Sequence, residues 1–503
     1  MDKLFTSFLT ATMAAMVACE VQAQTFDSNG FAEDAEVGAT IDQKYQKPEL
    51  NNGVYEIKNA GQLYWFFCQT TQEVDPNDTT GHISKNPNKA KLTADIRINN
   101  SVANGDEGEL RNWVLLTEYK DSADYTFRGS FNGNGHTIDG IWCNSERGGD
   151  ASLFNVVAEG GNVKNLTIGS DSKFFASNCA APVAIHSYGN IISIINKAAV
   201  NAGVAGGIVA ECGSRWFKGC QNYGDIHGDN VAGGICAITE DGYAQECVNH
   251  GNVWGRYYTG GICGLCGNSG GIENCLNTGA ISGAFSVGGI VGVLALEEEG
   301  DALAEPNMFG CSNIGEVSSL NQEAGGCVAQ CDSGNISNCY FLQTESLNDG
   351  IAFCNDLLLG SDSSEESIGG AMNEEQYASG EVAWALGSAW GQNIDNGEEQ
   401  MPCPEPNNAA RVYKVDLLSC SGSGKAIGET FSNTDEPKID SHHFDASGVC
   451  TVEGCGAKKT ALPHIDADGG NVETYDLTGR RIDGMARGLV IRRQGGKSRL
   501  AQQ

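Results

Sequence analysis

From about residue 190 to 345, apolar and polar positions alternate in runs of only three or four residues, as in Asp225-Ile226 and Gly234-Ile235-Cys236. A period of two marks short strands with one face turned inward. The runs return in phase. Cys-x-Asn-x-Gly occurs at Cys220-Gln221-Asn222-Tyr223-Gly224, Cys247-Val248-Asn249-His250-Gly251, Cys275-Leu276-Asn277-Thr278-Gly279 and Cys311-Ser312-Asn313-Ile314-Gly315, with a decayed copy at Cys339. A glycine pair interleaves with it at Gly206-Gly207, Gly233-Gly234, Gly260-Gly261, Gly288-Gly289 and Gly325-Gly326. Successive motif cysteines are almost evenly spaced, except that the interval from Cys275 to Cys311 is longer. That interval holds an acidic stretch from Glu297 to Glu305, which reads as a surface loop.

One such unit cannot bury its apolar side alone, so copies must stack, each adding a rung of ~4.8 Å. The predicted class is therefore all-β: a right-handed parallel β-helix (a solenoid) with helical caps and a small C-terminal β segment. Its interior becomes columns of equivalent residues. Cys220, Cys247, Cys275, Cys311 and Cys339 form one column; Ile208, Ile235, Ile262 and Ile290 form another, continued by Cys327. Asn222, Asn249, Asn277 and Asn313 form a ladder at a turn, each amide bonding the next rung or the local backbone. The paired glycines supply either positive φ or close backbone approach at a corner.

The flanks change the pattern. Asn59 with Gln62 three residues on opens a short helix whose apolar face is Leu63, Phe66 and Phe67, suited to covering the open end of the solenoid. Turn dipeptides at Asn132-Gly133 and Asn134-Gly135 mark irregular first coils. Beyond Cys354 the repeat stops, and Asn373-Glu374-Glu375-Gln376 opens a second helix, through Trp384 and Leu386, expected to close the C-terminal end. The expected layout is a signal segment (1–23), a lead-in (24–54), cap helix and first coils (55–189), regular repeats (190–345), cap or linker (346–412), a small Cys/His module (413–465) and a C-terminal β segment (466–503).

Composition fits this layout. Sixty-seven glycines, about 13%, suit many tight turns, and 19% charged residues exclude a disordered acidic chain. Met1 to Ala23 carries Lys3, about 15 mostly apolar residues from Leu4 and a small-residue exit at Val21-Gln22-Ala23, the shape of a cleaved export signal. An alternative is a lipid-bearing Cys19 after Met16-Val17-Ala18. The reading is a secreted or outer-surface monomer with no transmembrane segment. Net charge is −33. A surface this acidic repels nucleic acid and anionic membranes. The recurring cysteines read as small buried hydrophobes, because parallel side chains in register have the wrong mutual direction for disulfides. Cys263-x-x-Cys266 is read the same way, its first member falling on the column of Cys236.

Phe127 to Ile138, Ser152-Leu153-Phe154, Val163-Lys164-Asn165-Leu166 and the Gly-Gly-Ile repeats resemble the GLUG-motif β-helix proteins exported by Bacteroides- and Prevotella-like bacteria, over roughly residues 55–345. The resemblance implies a surface or secreted protein of adhesin-like role. GLUG repeats also decorate zinc peptidases that cleave IgA, but those need a His-Glu-x-x-His helix, and none of the eight histidines here has that spacing. Tyr475 to Arg481, then Gly488 to Ile491 and Gly495-Gly496-Lys497, is similar to the C-terminal sorting segment of type IX secretion; a plain β-hairpin is the alternative.

The reading is a non-catalytic binding or adhesin-like protein, with an enzyme and a spacer as alternatives. A rigid rod could bind a glycan or an extracellular protein, with outward Trp254, Tyr257 and Tyr258 suited to sugar stacking or to ordinary surface packing. A polysaccharide lyase or hydrolase would need carboxylates converging on one outer column. The turn column runs Asp225, Asn252, Ala280 and Glu316, which interrupts them, so no catalytic residue and no cofactor is assigned. A surface spacer is the other alternative. For metal, His442, His443, Cys450 and Cys455 are candidates, set against a disulfide or a plain loop.

Overall fold

A computed structural model describes residues 46–72, 89–104, 110–113, 126–145, 149–294, 306–354, 369–395, 401–404 and 409–439, apart from a few positions within those ranges, and scattered positions from 442 to 502. The export signal, Cys19, the acidic stretch 295–305 and His443 lie outside the described residues. The chain divides into two units, Met1–Tyr413 and Lys414–Gln503.

The first unit is a parallel β-helix. Its rungs run through three long ladders, described as sheets of nineteen, eleven and nine strands. One rung shows the order: Arg215–Lys218 and Gln221–Asn222 on the first ladder, Ile226–Gly233 on the second, Cys236–Thr239 on the third. The next rung starts at Gly242–Gln245, paired in register with Arg215–Lys218. Like therefore lies over like. Asn222, Asn249, Asn277 and Asn313 are mutual partners along one line, and so are Cys236 and Cys263. Backbone bonds carry Ile208 to Ile235, Ile262, Ile290 and Cys327. Every one of these side chains is buried.

The asparagine ladder explains why the cysteine and glycine motifs stay in phase. Each Nδ2 donates to the Oδ1 of the next rung, Asn222 to Asn249 and Asn249 to Asn277 at 2.8 Å, Asn277 to Asn313 at 2.7 Å. Each also donates to the carbonyl two residues on, that of the motif glycine. The second glycine of the first four pairs lies against this amide: a Cβ on Gly234 or Gly261 would be driven into the carbonyl of the next rung and into Asn249 or Asn277. Neither of these glycines has positive φ, so close approach is the reason for glycine here.

Two ends of the ladder carry no repeat signature. Asn196, in Ile194-Ile195-Asn196 with no cysteine, joins the bottom by donating to Asn222 at 2.8 Å. At the other end Phe341 pairs with Asn313 and packs its ring where a Cβ on Gly326 would fall, so an aromatic ring ends the amide row.

The cysteine column is buried, and its members carry no disulfides. Each thiol instead donates to backbone carbonyls, Cys275 to Glu273 at 3.3 Å and Cys311 to Phe309 at 3.4 Å. Burial pushes the thiols of Cys212 and Cys266 up to about 12, the opposite direction from that of a reactive cysteine.

Helix Ala60–Gln72 closes the N-terminal end. Asn59 Oδ1 accepts from Gln62 N and Gln62 Oε1 from Lys58 N, both at 2.9 Å. Phe66 and Phe67 then enter an aromatic cluster with Phe127, Phe131 and Phe154. At the other end the capping box of Asn373 and Gln376 forms, starting helix Glu374–Ser379, followed by Glu381–Leu386. This pair does not sit over the open end, contrary to expectation. Strand Gly369–Met372 adds the last rung beside Cys339–Leu342, and the helices then fold back along the flank. Tyr377, Val382, Leu386 and Trp390 pack on Val248, Leu276 and Tyr340. Tyr377 Oη and Ser312 Oγ are 2.9 Å apart, and Trp390 Nε1 donates to Gly310 O at 3.0 Å. Val248, Leu276 and Ser312 fill the first variable position of Cys-x-Asn-x-Gly; they point outward and need this cover.

The second unit holds a three-stranded sheet of Tyr413–Leu418, Ala426–Ser432 and Lys438–Ile439, and an antiparallel sheet of Glu473–Tyr475, Leu489–Gln494 and Lys497–Gln502.

Candidate functional site

The rung spacing brings side chains one repeat apart to ring-stacking distance. Four outward aromatic pairs result. Trp216 stacks on Tyr243 (centroids 5.2 Å apart), Tyr223 on His250 (4.4 Å), His227 on Trp254 (4.3 Å) and Tyr257 on Phe285 (5.5 Å), all with interplanar angles of 28° or less. Trp216, Tyr223, Tyr257 and Phe285 are exposed. Polar groups lie among them: Asn252 Nδ2 donates to Asp225 Oδ1 at 3.1 Å, Tyr223 Oη donates to Gln221 Oε1 at 2.9 Å, and the Arg256 guanidinium sits 5.3 Å over Tyr257. Of the aromatics expected to face outward, Trp254 and Tyr257 belong to these stacks. Tyr258 is half-buried in register with Val231. Trp216, Tyr243, Tyr223, His250, His227 and Phe285 were not expected from the sequence, although the offset between stacking partners is the repeat length itself.

The turn column is as expected: Ile226, Val253 and Ile281 donate in turn to the carbonyls of Asn252, Ala280 and Glu316. Asp225 and Glu316 are thus three rungs apart, roughly 14 Å at ~4.8 Å per rung. A glycosidase carboxylate pair works at about 5 to 9.5 Å.

A Cys/His/Glu group unannounced by the sequence joins Cys179 of the second ladder to His186 and Glu211 of the third. His186 Nδ1 is 2.9 Å from Glu211 Oε2, and Cys179 Sγ is 3.9 Å from Glu211 Oε1. The carboxylate stands between thiol and imidazole. Burial, then Asp150 and Glu211, push the Cys179 thiol up to about 12, the reverse of what a nucleophilic cysteine needs. The hydrogen bond to Glu211 raises the His186 pKa, and the one to His186 lowers that of Glu211. The sign follows. The imidazolium contribution to stability is complete below the ordinary histidine value and is lost as pH rises through the elevated one; the carboxylate contribution is lost as pH falls through its depressed one. His186 is expected to titrate above free histidine in an NMR pH series, and Glu211→Gln to bring it back down.

In the second unit, Cys420, His442, Cys450 and Cys455 bring their ligand atoms to within 4.8 Å of one another. Cys455 Sγ and His442 Nδ1 are 3.3 Å apart. Cys420 and Cys450 are buried. Hydrogen bonding with Cys420, chiefly, raises the Cys455 thiol to about 11. Three of the four sequence candidates are present. The fourth member of the group is Cys420, which follows a strand well upstream of His442, too far for a spacing motif to flag it.

No family model and no curated protein matches the chain. Among solved structures the chain is similar to one described as "a putative immunoglobulin A1 protease from Bacteroides ovatus", at 20% identity over 73% of this chain and 97% of that one, with a TM-score of 0.38. A likeness this distant carries no argument about chemistry or ligand.

Proposed function

We propose that this protein is an exported, non-catalytic binding protein that recognises a glycan through the stacked aromatics on the outside of its β-helix. The observation that carries the reading is the set of four ring pairs on adjacent rungs, set among Asp225, Gln221 and Asn252. Flat apolar faces beside amide and carboxylate groups suit pyranose rings, whose faces carry C–H groups and whose edges carry hydroxyls. The net charge of −33 disfavours nucleic acid as the ligand. Separation of Asp225 from Glu316, and the burial and neighbouring carboxylates that push the Cys179 thiol upward, support a binding role over a lyase, hydrolase or thiol-protease role. Export rests on the N-terminal segment, and the adhesin-like role is in keeping with the resemblance to GLUG-motif proteins.

The test is a glycan array and an extracellular-matrix protein panel with the mature protein, followed by titration of the best ligand. Trp216→Ala and Trp254→Ala are each expected to weaken binding about tenfold, about 1.4 kcal/mol, with the circular dichroism spectrum unchanged. Binding to matrix proteins alone would replace the glycan by a protein partner. Turnover of a polysaccharide, abolished by Asp225→Asn or Glu316→Gln, would overturn the non-catalytic reading.

A further inference from the structure

We propose that Cys420, His442, Cys450 and Cys455 form a closed structural zinc site that holds the first part of the second unit together. With Zn–S at ~2.3 Å, the edges of a tetrahedral site are about 3.8 Å long. Four ligand atoms mutually within 4.8 Å, with one pair at 3.3 Å, need only small side-chain adjustments to close on one ion. The thiols of the repeat column, Cys220, Cys247, Cys275, Cys311 and Cys339, instead follow one another rung by rung and face backbone carbonyls. Only here, among the described residues, do three thiols and an imidazole converge.

The local chain is built for this arrangement. Cys420 lies two residues past strand Tyr413–Leu418 and is fully buried. Phe444 and Cys450 form an antiparallel bridge, and Asp445 Oδ1 accepts from Ser447 N, Ser447 Oγ and Val449 N, which fixes the intervening turn. Cys450 N donates to Ala457 O at 2.8 Å, closing a second reversal that returns Cys455 beside Cys450. Two turns and a strand end therefore deliver ligands to one point.

Among the described residues from Lys414 to Ala457, little else is buried. The buried ones are Val415, Cys420, Ser432 and Cys450, while Ile427 and Ile439 are more than half exposed. A module this small needs a disulfide or a metal to stay folded. Four protein ligands leave no open position for water or substrate, so the ion would be structural, not catalytic. On binding, the three thiols release their protons to solvent, the three thiolates and His442 Nδ1 form the four coordination bonds, and the proton of the neutral imidazole stays on Nε2. No electron is transferred.

The test uses the full mature chain, with metal content measured by plasma mass spectrometry after dialysis. One zinc per chain is expected, lost in Cys420→Ser and His442→Ala and retained in His443→Ala. Loading the wild-type protein with Co²⁺ should give the intense visible absorption of tetrahedral cobalt with thiolate charge transfer. Should Cys420→Ser fail to fold, His442→Cys decides, because it should keep the metal and increase the charge-transfer intensity. Metal-free protein with disulfides among Cys420, Cys450 and Cys455 in unreduced peptide maps would overturn the site. So would weak, octahedral cobalt absorption, or loss of metal in His443→Ala with retention in His442→Ala.

Discussion

Gly261→Ala is expected to destabilise the β-helix by about 3 kcal/mol, read as a lower urea midpoint at an unchanged slope. The methyl would be driven into the carbonyl of Gly289 and the Asn277 amide. Neither withdraws freely, because the Gly289 N–H is bonded to the Gly325 carbonyl of the next rung and the Asn277 amide to Gly279 and Asn313. The effect is steric, since Gly261 does not have positive φ. Gly267→Ala is the matched control: its Cβ would meet nothing closer than 4.0 Å, and the change should stay within about 0.5 kcal/mol of wild type. Equal losses for the two variants would mean that the rungs give way, and the packing argument for the glycine pairs would fail.

Asn249→Ala is expected to cost about 3 to 5 kcal/mol, from two buried acceptors left without their donor at about 1 to 3 kcal/mol each plus a weakened neighbour. The substitution strips the Nδ2 donor from Gly251 O and Asn277 Oδ1, and the acceptor from Asn222 Nδ2. Asn249→Asp sharpens the test, because the ionised side chain could accept from Asn222 but could not donate to Asn277 or Gly251. Burial would raise its folded pKa above the unfolded value near 3.9. The variant should therefore regain stability relative to wild type below about pH 4 and lose it as pH rises. Chemical denaturation of both proteins across that range checks the sign. A deficit independent of pH would argue that the ladder position is exposed to water.

Much of the interior is legible in the sequence. Cys220, Asn222, Ile235 and their equivalents recur at the repeat length, and a coil that must stack to bury its apolar side turns that recurrence into columns. The capping residues Asn59 and Asn373 were legible for a similar reason, since a helix start is a local event between residues three apart. The ends of the ladder were less so. Asn196 has no cysteine beside it, and Phe341 replaces the amide by a ring, so a motif search passes over both although the backbone register includes them.

What the sequence alone determined is the inward face, because the rung period and side-chain alternation are properties of the backbone. The outward face was decided by tertiary contacts. Val248 and Leu276 are covered because the helices at 374–386 fold back along the flank, whereas Trp216 and Tyr257 are exposed. No local pattern separates these outcomes, because the cover comes from a segment several repeats further along the chain. The same holds for Cys420. Its meeting with His442, Cys450 and Cys455 depends on where a strand ends and how two turns close, which ligand spacing in one dimension does not encode.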